Sequence, residues 1–485
     1  MRELNLKIVV SKKAAYKQIA DALRQAIQAG QLRQGEKLPS TRTMAKSFQV
    51  HRHTIMAALN ELVAEGWITS HMRQAYRVNE DLPSGYFESA QISVGATARR
   101  AHKWRLVRSA AAKAPPPDMS GVKHTFKSGT ADLRLFPYKD FKSCLDDTMR
   151  SSRPGAFSYG DPAGHPLLVE SIKTYLRRVR SITDREVVIT NGSQEGIFLA
   201  AQLLVNPGDK VAVERLGYQP AWQAIRAAGG ELVPVEIDSK GMVPDSFAGI
   251  LRRHRIRMLY MTPLHQYPTT STLPIARRLR IYELAAQAGV PILEDDYDHE
   301  FHYRSHPLPP LASMDSEGLV IYVSTFSKIL FPSARVGFLS IPRKLATPLA
   351  AYRRIVSRQN TGIIQDAVAR WMNAGGFERH LRKMRRTYAE RLSALNEILE
   401  EGKAKGLPLS WSVPDGGMAV WVDTGMEADT VAKLALQNGV FVHPGTDFQL
   451  CPESSTHLRV GFAGQTPQEI KEGMRILFHA IAGLK

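Results

Sequence analysis

Lys328 is the residue with the clearest chemistry in the chain. It lies in Ser324-Thr325-Phe326-Ser327-Lys328-Ile329-Leu330-Phe331-Pro332-Ser333-Ala334-Arg335-Val336-Gly337, directly after Gly318-Leu319-Val320-Ile321-Tyr322-Val323. That apolar run, bounded by a glycine, reads as a buried strand. A lysine at such a strand's end, beside another cation, is desolvated; its pKa falls and it becomes a Schiff-base former. Thr325, Ser327 and Arg335 offer hydroxyls and a guanidinium fork to a phosphate. An amine suited to an aldehyde, next to phosphate donors, suggests pyridoxal phosphate. Taken alone, the same residues also fit a solvated Ser/Thr/Lys turn.

Three more loops supply complementary chemistry. Thr190-Asn191-Gly192-Ser193-Gln194-Glu195-Gly196 is a turn feeding a helix, whose free N–H groups suit a phosphate. Glu294-Asp295-Asp296-Tyr297-Asp298 places a carboxylate where it could hold a pyridine nitrogen protonated, with a tyrosine two residues on. Thr262-Pro263-Leu264-His265-Gln266-Tyr267-Pro268-Thr269 is the third. A lone acidic cluster is more often an ion-pair network than a metal site. His299-Glu300-Phe301-His302 lacks the i, i+4 histidine pair of a zinc helix.

Each loop follows a short apolar run. Val187-Val188-Ile189-Thr190, Lys210-Val211-Ala212-Val213, Leu232-Val233-Pro234-Val235, Met258-Leu259-Tyr260-Met261 and Val290-Pro291-Ile292-Leu293 alternate with helical patterns such as residues 275–288. This predicts an α/β fold with a mostly parallel sheet covered on both faces. Ligands of such sheets sit at the carboxyl ends of the strands, which is where these loops lie.

At 485 residues the chain has room for two or more domains. Its 44% apolar and 23% charged residues are those of a soluble globular protein. Two cysteines, Cys144 and Cys451, exclude a disulfide framework, and neither a signal peptide nor a membrane span is visible, so a cytoplasmic location is expected. The net charge is +18, of which residues 1–120 carry 19 Lys/Arg against 9 Asp/Glu, or +10. A basic first quarter points to nucleic acid or another anionic surface.

Within it, Tyr16, Ile19, Leu23, Ala26 and Ile27 have helical spacing, stopped by Gly30. Ser40 is an N-cap for a second short helix. His51-Arg52-His53-Thr54 opens a third, with the stripe Ile55, Ala58, Leu59, Leu62. A polar, basic first turn suits a recognition helix. Gly66-Trp67-Ile68-Thr69 and Ala75-Tyr76-Arg77-Val78 read as a two-stranded wing.

These pieces resemble the winged helix-turn-helix of the GntR family over most of residues 12–78. The resemblance is carried by Tyr16-x-Gln18-Ile19, Gly30-x-Leu32-x-x-Gly35-x-x-Leu38-Pro39-Ser40-x-Arg42, Val50-x-Arg52-x-Thr54 and Leu62-x-x-Glu65-Gly66. It implies that Arg42, Arg52 and Thr54 contact DNA, with Ser40 near the backbone. The tip His71-Met72-Arg73-Gln74-Ala75 departs from the family's glycine-rich wing. The other reading is a three-helix packing module without DNA. Residues 84–120, with Pro115-Pro116-Pro117, read as a spacer. The expected division is a DNA-binding head at 1–80, a flexible linker at 81–120 and a large domain at 121–485.

The large domain resembles fold-type I pyridoxal-phosphate aminotransferases. Ser128-Gly129-x-x-Asp132-Leu133-x-Leu135-Phe136-Pro137, Tyr159-Gly160-Asp161-Pro162-Ala163-Gly164 and Leu458-Arg459-Val460-Gly461-Phe462-Ala463 add to the loops above. With the head, the chain is similar to the MocR/GabR regulators. That resemblance implies that Lys328 forms the Schiff base with the cofactor, Asp295 pairs with the ring nitrogen and Tyr297 bonds the ring hydroxyl. Ser193, Gln194, Thr325 and Arg335 would hold the phosphate. Tyr218 would lie near the ring, Tyr159 would reach across a homodimer, and Arg459 would bind an effector's carboxylate. Pro268-Thr269-Thr270, Ser333-Ala334-Arg335 and the absence of an arginine two residues after Tyr218 depart from the family pattern. The expected function is a regulator that binds operator DNA and senses pyridoxal phosphate, or its adduct with an amino acid or amine. The alternative is an active aminotransferase carrying a DNA-binding appendage.

Overall fold

The computed structural model describes residues 14–70, 75–82, 117–150, 157–303 and 308–484. The wing tip at 71–74 and most of the expected linker, 83–116, lie outside these residues. The chain divides into two compact units, Met1–Val107 and Arg108–Lys485.

In the first unit, helices α1 (Ala15–Gln28), α2 (Thr41–Ser47) and α3 (Arg52–Ala64) precede strands β1 (Ile68–Thr69) and β2 (Arg77–Val78). Gly30 takes φ +70° just past the end of α1, the left-handed position that a terminating glycine fills without strain. The Ser40 hydroxyl accepts from the Thr43 amide at 3.1 Å and caps α2. Ile19, Leu23, Ile27, Leu38, Ile55, Leu59 and Leu62 form one buried core against Trp67, Ile68 and Val78. The strands are two residues each, paired antiparallel with Ile68 opposite Val78.

The second unit is built on a seven-stranded sheet. Its strands are β3 (Glu186–Thr190), β4 (Lys210–Glu214), β5 (Glu231–Val235), β6 (Ile256–Met261), β7 (Ile292–Asp295), β8 (Val320–Thr325) and β9 (Gly337–Ile341). Their spatial order is β3-β9-β8-β7-β6-β4-β5. All neighbours are parallel except at β9, which runs antiparallel to both β8 and β3. Val188, Val211, Met258, Tyr260, Leu293, Val323 and Leu339 enter the core on one face. Ile189, Ala212, Leu259, Ile292, Tyr322 and Phe338 enter the core on the other. The period of two along each strand is that of a sheet buried on both sides. A smaller four-stranded sheet, β10 (Ser410–Trp411), β11 (Ala419–Asp423), β12 (His443–Pro444) and β13 (His457–Gly461), has the order β10-β11-β13-β12. Among the described residues no helix is long and apolar enough to cross a membrane.

Strand β9 is absent from the sequence reading, and it matters for the site. Its first residue, Gly337, sits in register between Thr190 and Thr325. A Cβ at Gly337 would lie 2.6 Å from the Gly192 carbonyl carbon and 2.8 Å from the Ser193 amide. Only a glycine lets the loops after β3 and β8 close on each other here.

Candidate cofactor and effector site

The turn after β3 begins with Thr190, whose hydroxyl donates to the Gly192 carbonyl at 2.9 Å. Gly192 takes φ +78° and leads into the helix Ser193–Leu204. The Glu195 carboxylate accepts from the Asn191 amide at 2.6 Å and from its side chain at 3.1 Å. Arg335 donates to the Asn191 carbonyl. Its guanidinium lies 3.2 Å from where a Gly192 Cβ would stand. After β8, the Thr325 hydroxyl accepts from the Ser327 amide at 3.1 Å. Gln194 donates to the Pro220 carbonyl at 2.8 Å, and its side-chain oxygen is buried without a partner. A helix N-terminus, two hydroxyl-bearing turns and a guanidinium thus converge, an arrangement suited to a dianion.

Asp295 ends β7 with its side chain on the same sheet face as Tyr260. The Tyr260 hydroxyl donates to Oδ2 at 2.8 Å, while Oδ1 is buried with no partner. Burial raises the Asp295 pKa to about 7, against the Tyr260 hydrogen bond, which lowers it. Its neighbours have other duties. Glu294 accepts from the Leu311 and Ala312 amides at 2.8 and 3.0 Å. Asp296 pairs with Arg180 at 2.6 Å and accepts from the Tyr322 hydroxyl at 2.7 Å, both ion-pair partners being buried. Asp298 meets His265 at 2.6 Å, both again buried. The run that reads as one acidic cluster is therefore four separately partnered carboxylates.

Lys328 donates from Nζ to the Gly129 carbonyl at 2.7 Å. Gly129 has φ +70°, and a Cβ there would stand 2.9 Å from Nζ. Desolvation lowers the lysine pKa to about 8. Asp298 and Asp295 pull it up, while Arg459 and Lys127 push it down. At that value a sizeable neutral fraction exists near pH 7–8, the form that attacks a carbonyl.

Arg459 lies on β13 and is 1% exposed. Its Nε donates to the Pro268 carbonyl at 3.1 Å, and its guanidinium carbon lies 4.1 Å from the Tyr267 ring centroid. Nη1 is buried with no partner. Tyr267 packs edge-on against Tyr218 and Tyr297, with centroids 5.5 and 5.7 Å away. Burial, with Asp295 adding, pushes the Tyr218 phenol up to about 12. The Tyr297 hydroxyl donates to the His265 carbonyl at 3.0 Å. Tyr159 stands apart from this group: it is 76% exposed, with Arg358 over its ring at 4.6 Å.

Sequence reasoning missed the His265–Asp298 pair, Tyr260 and the carbonyl partner of Lys328. Tyr260 was findable, because Leu293 pairs with Tyr260 across β7 and β6, so Asp295 two residues on shares its face. The histidine–aspartate pair joins loops 33 residues apart and carries no local signature.

In the first unit, Arg42 is exposed in the first turn of α2 and Arg52 in that of α3. Arg52 donates from Nε to the Thr41 hydroxyl at 3.0 Å, tying the two helix starts together. His51, Arg52 and His53 are exposed and Thr54 half-buried, so α3 presents a basic N-terminal turn. The Ser40 hydroxyl is engaged by its own helix.

Comparison with known proteins agrees with both units. Residues 15–78 match the bacterial regulatory proteins of the gntR family. Residues 132–477 match aminotransferase class I and II. The probable rhizopine catabolism regulatory protein MocR of Rhizobium meliloti is 31% identical over 97% of this chain and 94% of its own. The HTH-type transcriptional regulator TauR of Rhodobacter capsulatus is 30% identical, over 94% of each chain. Among solved structures, Pyrococcus horikoshii kynurenine aminotransferase superposes with a TM-score of 0.70 at 27% identity, over 74% of this chain and 91% of that one. The chain belongs to the MocR-type transcriptional regulators, in which a gntR-family helix-turn-helix head that implies operator DNA is joined to a class I and II aminotransferase domain, a family that typically binds pyridoxal phosphate.

Proposed function

We propose that this regulator holds pyridoxal phosphate in its large unit and that an amino acid or amine reaching that site alters how the head binds its operator. One observation carries the reading. Two buried polar atoms of opposite character, Asp295 Oδ1 and Arg459 Nη1, lack partners in the same site as a lysine held near pKa 8. Unpartnered buried polar atoms are costly and call for a ligand. The donor set fits this cofactor. Asp295 Oδ1 would take the ring nitrogen, Tyr297 the ring hydroxyl, and Ser193, Gln194, Thr325 and Arg335 the phosphate, with Tyr218 beside the ring. Lys328 would provide the attachment point. When bound, the cofactor supplies a carbonyl that condenses with amines and a ring that accepts electrons. Arg459 would orient a ligand carboxylate through its open edge.

Tyr159 fits a role across a homodimer. Phe157, Ile355 and Val356 are exposed at 57, 83 and 45%, and such apolar surface is commonly covered by a subunit. The domain boundaries at about 80 and 120 belong to the same proposal. Sensing requires that the ligand bind the two DNA-binding states with different affinity, typically a 5–150-fold effect.

The test is operator affinity and footprint with and without pyridoxal phosphate, then across a panel of amino acids and amines. A change in either measure on adding cofactor or one ligand is expected. No change with any of them sinks the sensing reading. A second reading, genuine transamination, draws on the lowered lysine pKa, which suits a proton acceptor. Repeated turnover of an amino acid with a keto acid would favour it.

A further inference from the structure

The helix α4 (Pro166–Arg180) and the 29-residue helix α5 (Gly376–Ala404) meet where Arg178 pairs with Glu378. Helix α5 buries Phe377, His380, Leu381, Met384 and Tyr388 on one side. The opposite side of its first three turns carries Arg379, Arg382, Lys383 and Arg386, all exposed. Their spacing of three and four residues sets them in one row, about 5–6 Å apart. No acidic residue occurs between 379 and 389. Arg382, Lys383 and Arg386 have no ion-pair partner among the described residues, and Arg379 donates only to the Ala374 carbonyl. Arg177 is exposed at the end of α4, one residue from the Arg178–Glu378 pair.

A solvated helix face ordinarily mixes signs, because like charges three and four residues apart destabilise a helix and opposite ones support it. Here four cations stand within three and four residues of one another, with Glu378 drawn off by Arg178 and Glu390 at the far end of the row, so the face is complementary to a polyanion. The chain itself names the polyanion, since its head is a DNA-binding module. A few phosphate contacts alone give non-specific affinities of roughly 10⁻⁴–10⁻⁶ M. A head already on its operator, joined to this unit in one chain, presents flanking duplex at an effective concentration that reaches the millimolar range where the linker spans the two sites. That exceeds those dissociation constants by about tenfold or more, so a patch too weak to recruit DNA by itself would be filled in cis.

We propose that Arg379, Arg382, Lys383 and Arg386, extended by Arg177, form a second, sequence-independent DNA surface that holds the phosphates of duplex flanking the operator. The proposal rests on operator binding by the head. It adds that the large unit contributes affinity and salt dependence of its own.

The test uses the full chain on two duplexes, one ending at the head's footprint and one extended about two helical turns on each side. The wild type should show a steeper salt dependence on the long duplex. The variant R379Q/R382Q/K383Q/R386Q should flatten the slope of log K against log salt on the long duplex by about 3–4 per engaged subunit. Between 50 and 200 mM salt that makes its affinity loss roughly 100-fold smaller than the wild type's. On the short duplex the two proteins should coincide, which also shows that the variant is folded. The charge-keeping variant R379K/R382K/R386K should retain the wild-type slope. Equal slopes for wild type and glutamine variant on the long duplex overturn the proposal. So does an equal loss on both duplexes, which would place the effect in the head or the fold. A wild type that binds neither duplex refutes operator binding instead, a distinguishable failure.

Discussion

Asp295→Asn should make the cofactor-free large unit more stable at pH 8 while weakening its hold on pyridoxal phosphate. The carboxyl is 4% exposed, and its pKa is raised from 3.8 to about 7, chiefly by burial. Between pH 4 and 7 the folded unit keeps a proton on Asp295 that the unfolded chain has released. Stability therefore falls as pH rises through that window and is level above it. Raising the pKa from 3.8 to about 7 corresponds to about 4 kcal/mol at pH 8. Asparagine removes this cost and still accepts the Tyr260 hydrogen bond. It places an NH₂ where Oδ1 has no partner, at about 1–3 kcal/mol. The net expectation is a gain of roughly 1–3 kcal/mol at pH 8 that turns into a loss of similar size towards pH 4, where only the unpartnered NH₂ still counts. Glu294 and Glu300, raised by burial to about 7 and 8, are common to both proteins and cancel, whereas Glu214, raised by burial to about 7, also loses the repulsion of Asp295, which adds to the variant's gain at pH 8. Cofactor affinity should fall about 10–150-fold, the loss of one charge-assisted hydrogen bond of about 1.5–3 kcal/mol. Urea unfolding of the large unit at pH 4 and 8 measures the first effect, and a spectroscopic cofactor titration measures the second. An offset identical at both pH values, or a wild type more stable at pH 8, refutes the account of Asp295.

Lys328→Ala should abolish the visible absorption of a covalently held cofactor, and a band surviving unchanged removes the attachment assignment. Arg459→Met should leave cofactor binding largely intact, abolish spectral responses to carboxylate-bearing ligands and raise the Lys328 pKa, since Arg459 is a cation depressing it; the pH profile of the rate of cofactor attachment, which needs the neutral amine, reads that shift. Gly337→Ala should cost both stability and cofactor affinity, because its Cβ would stand 2.6 Å from the Gly192 backbone and neither strand can yield without opening the turn. Ser40→Ala should destabilise the head by about 1 kcal/mol through the lost α2 cap, read in its thermal unfolding.

The strands were legible because each is a short apolar run, and the loops because each begins with residues that a strand interior rejects. Strands β4, β7 and β8 extend past their apolar runs by one or two residues, so Asp295 and Thr325 close strands instead of opening loops. Hydrophobicity marks where burial is cheap. A buried carboxylate or hydroxyl at a strand end follows the backbone ladder without declaring itself. Strand β9 was invisible for another reason. Gly337-Phe338-Leu339-Ser340-Ile341 follows the lysine loop so closely that the stretch reads as one segment, and its antiparallel course depends on pairing with β8 and β3. Long-range partners were the least legible. Lys328 meets a carbonyl 199 residues earlier, and Arg459 one 191 residues earlier.

The run Glu294–Asp298 explains why composition alone misleads here. Adjacent strand residues face opposite sides of a sheet, so Glu294 and Asp296 fall on one side and Asp295 on the other. Asp296, against Arg180, is held down to about 2 despite full burial. Asp295, with a phenol for its only partner, rises to about 7. Two neighbouring aspartates thus shift in opposite directions because one meets a guanidinium and the other is left short of a cation. A permanently paired carboxylate fixes structure, whereas one kept short of a positive partner waits for a cation to arrive. A protonated ring nitrogen would be such a cation, and the same residue would then join the cost borne by the empty unit to the affinity of the filled one.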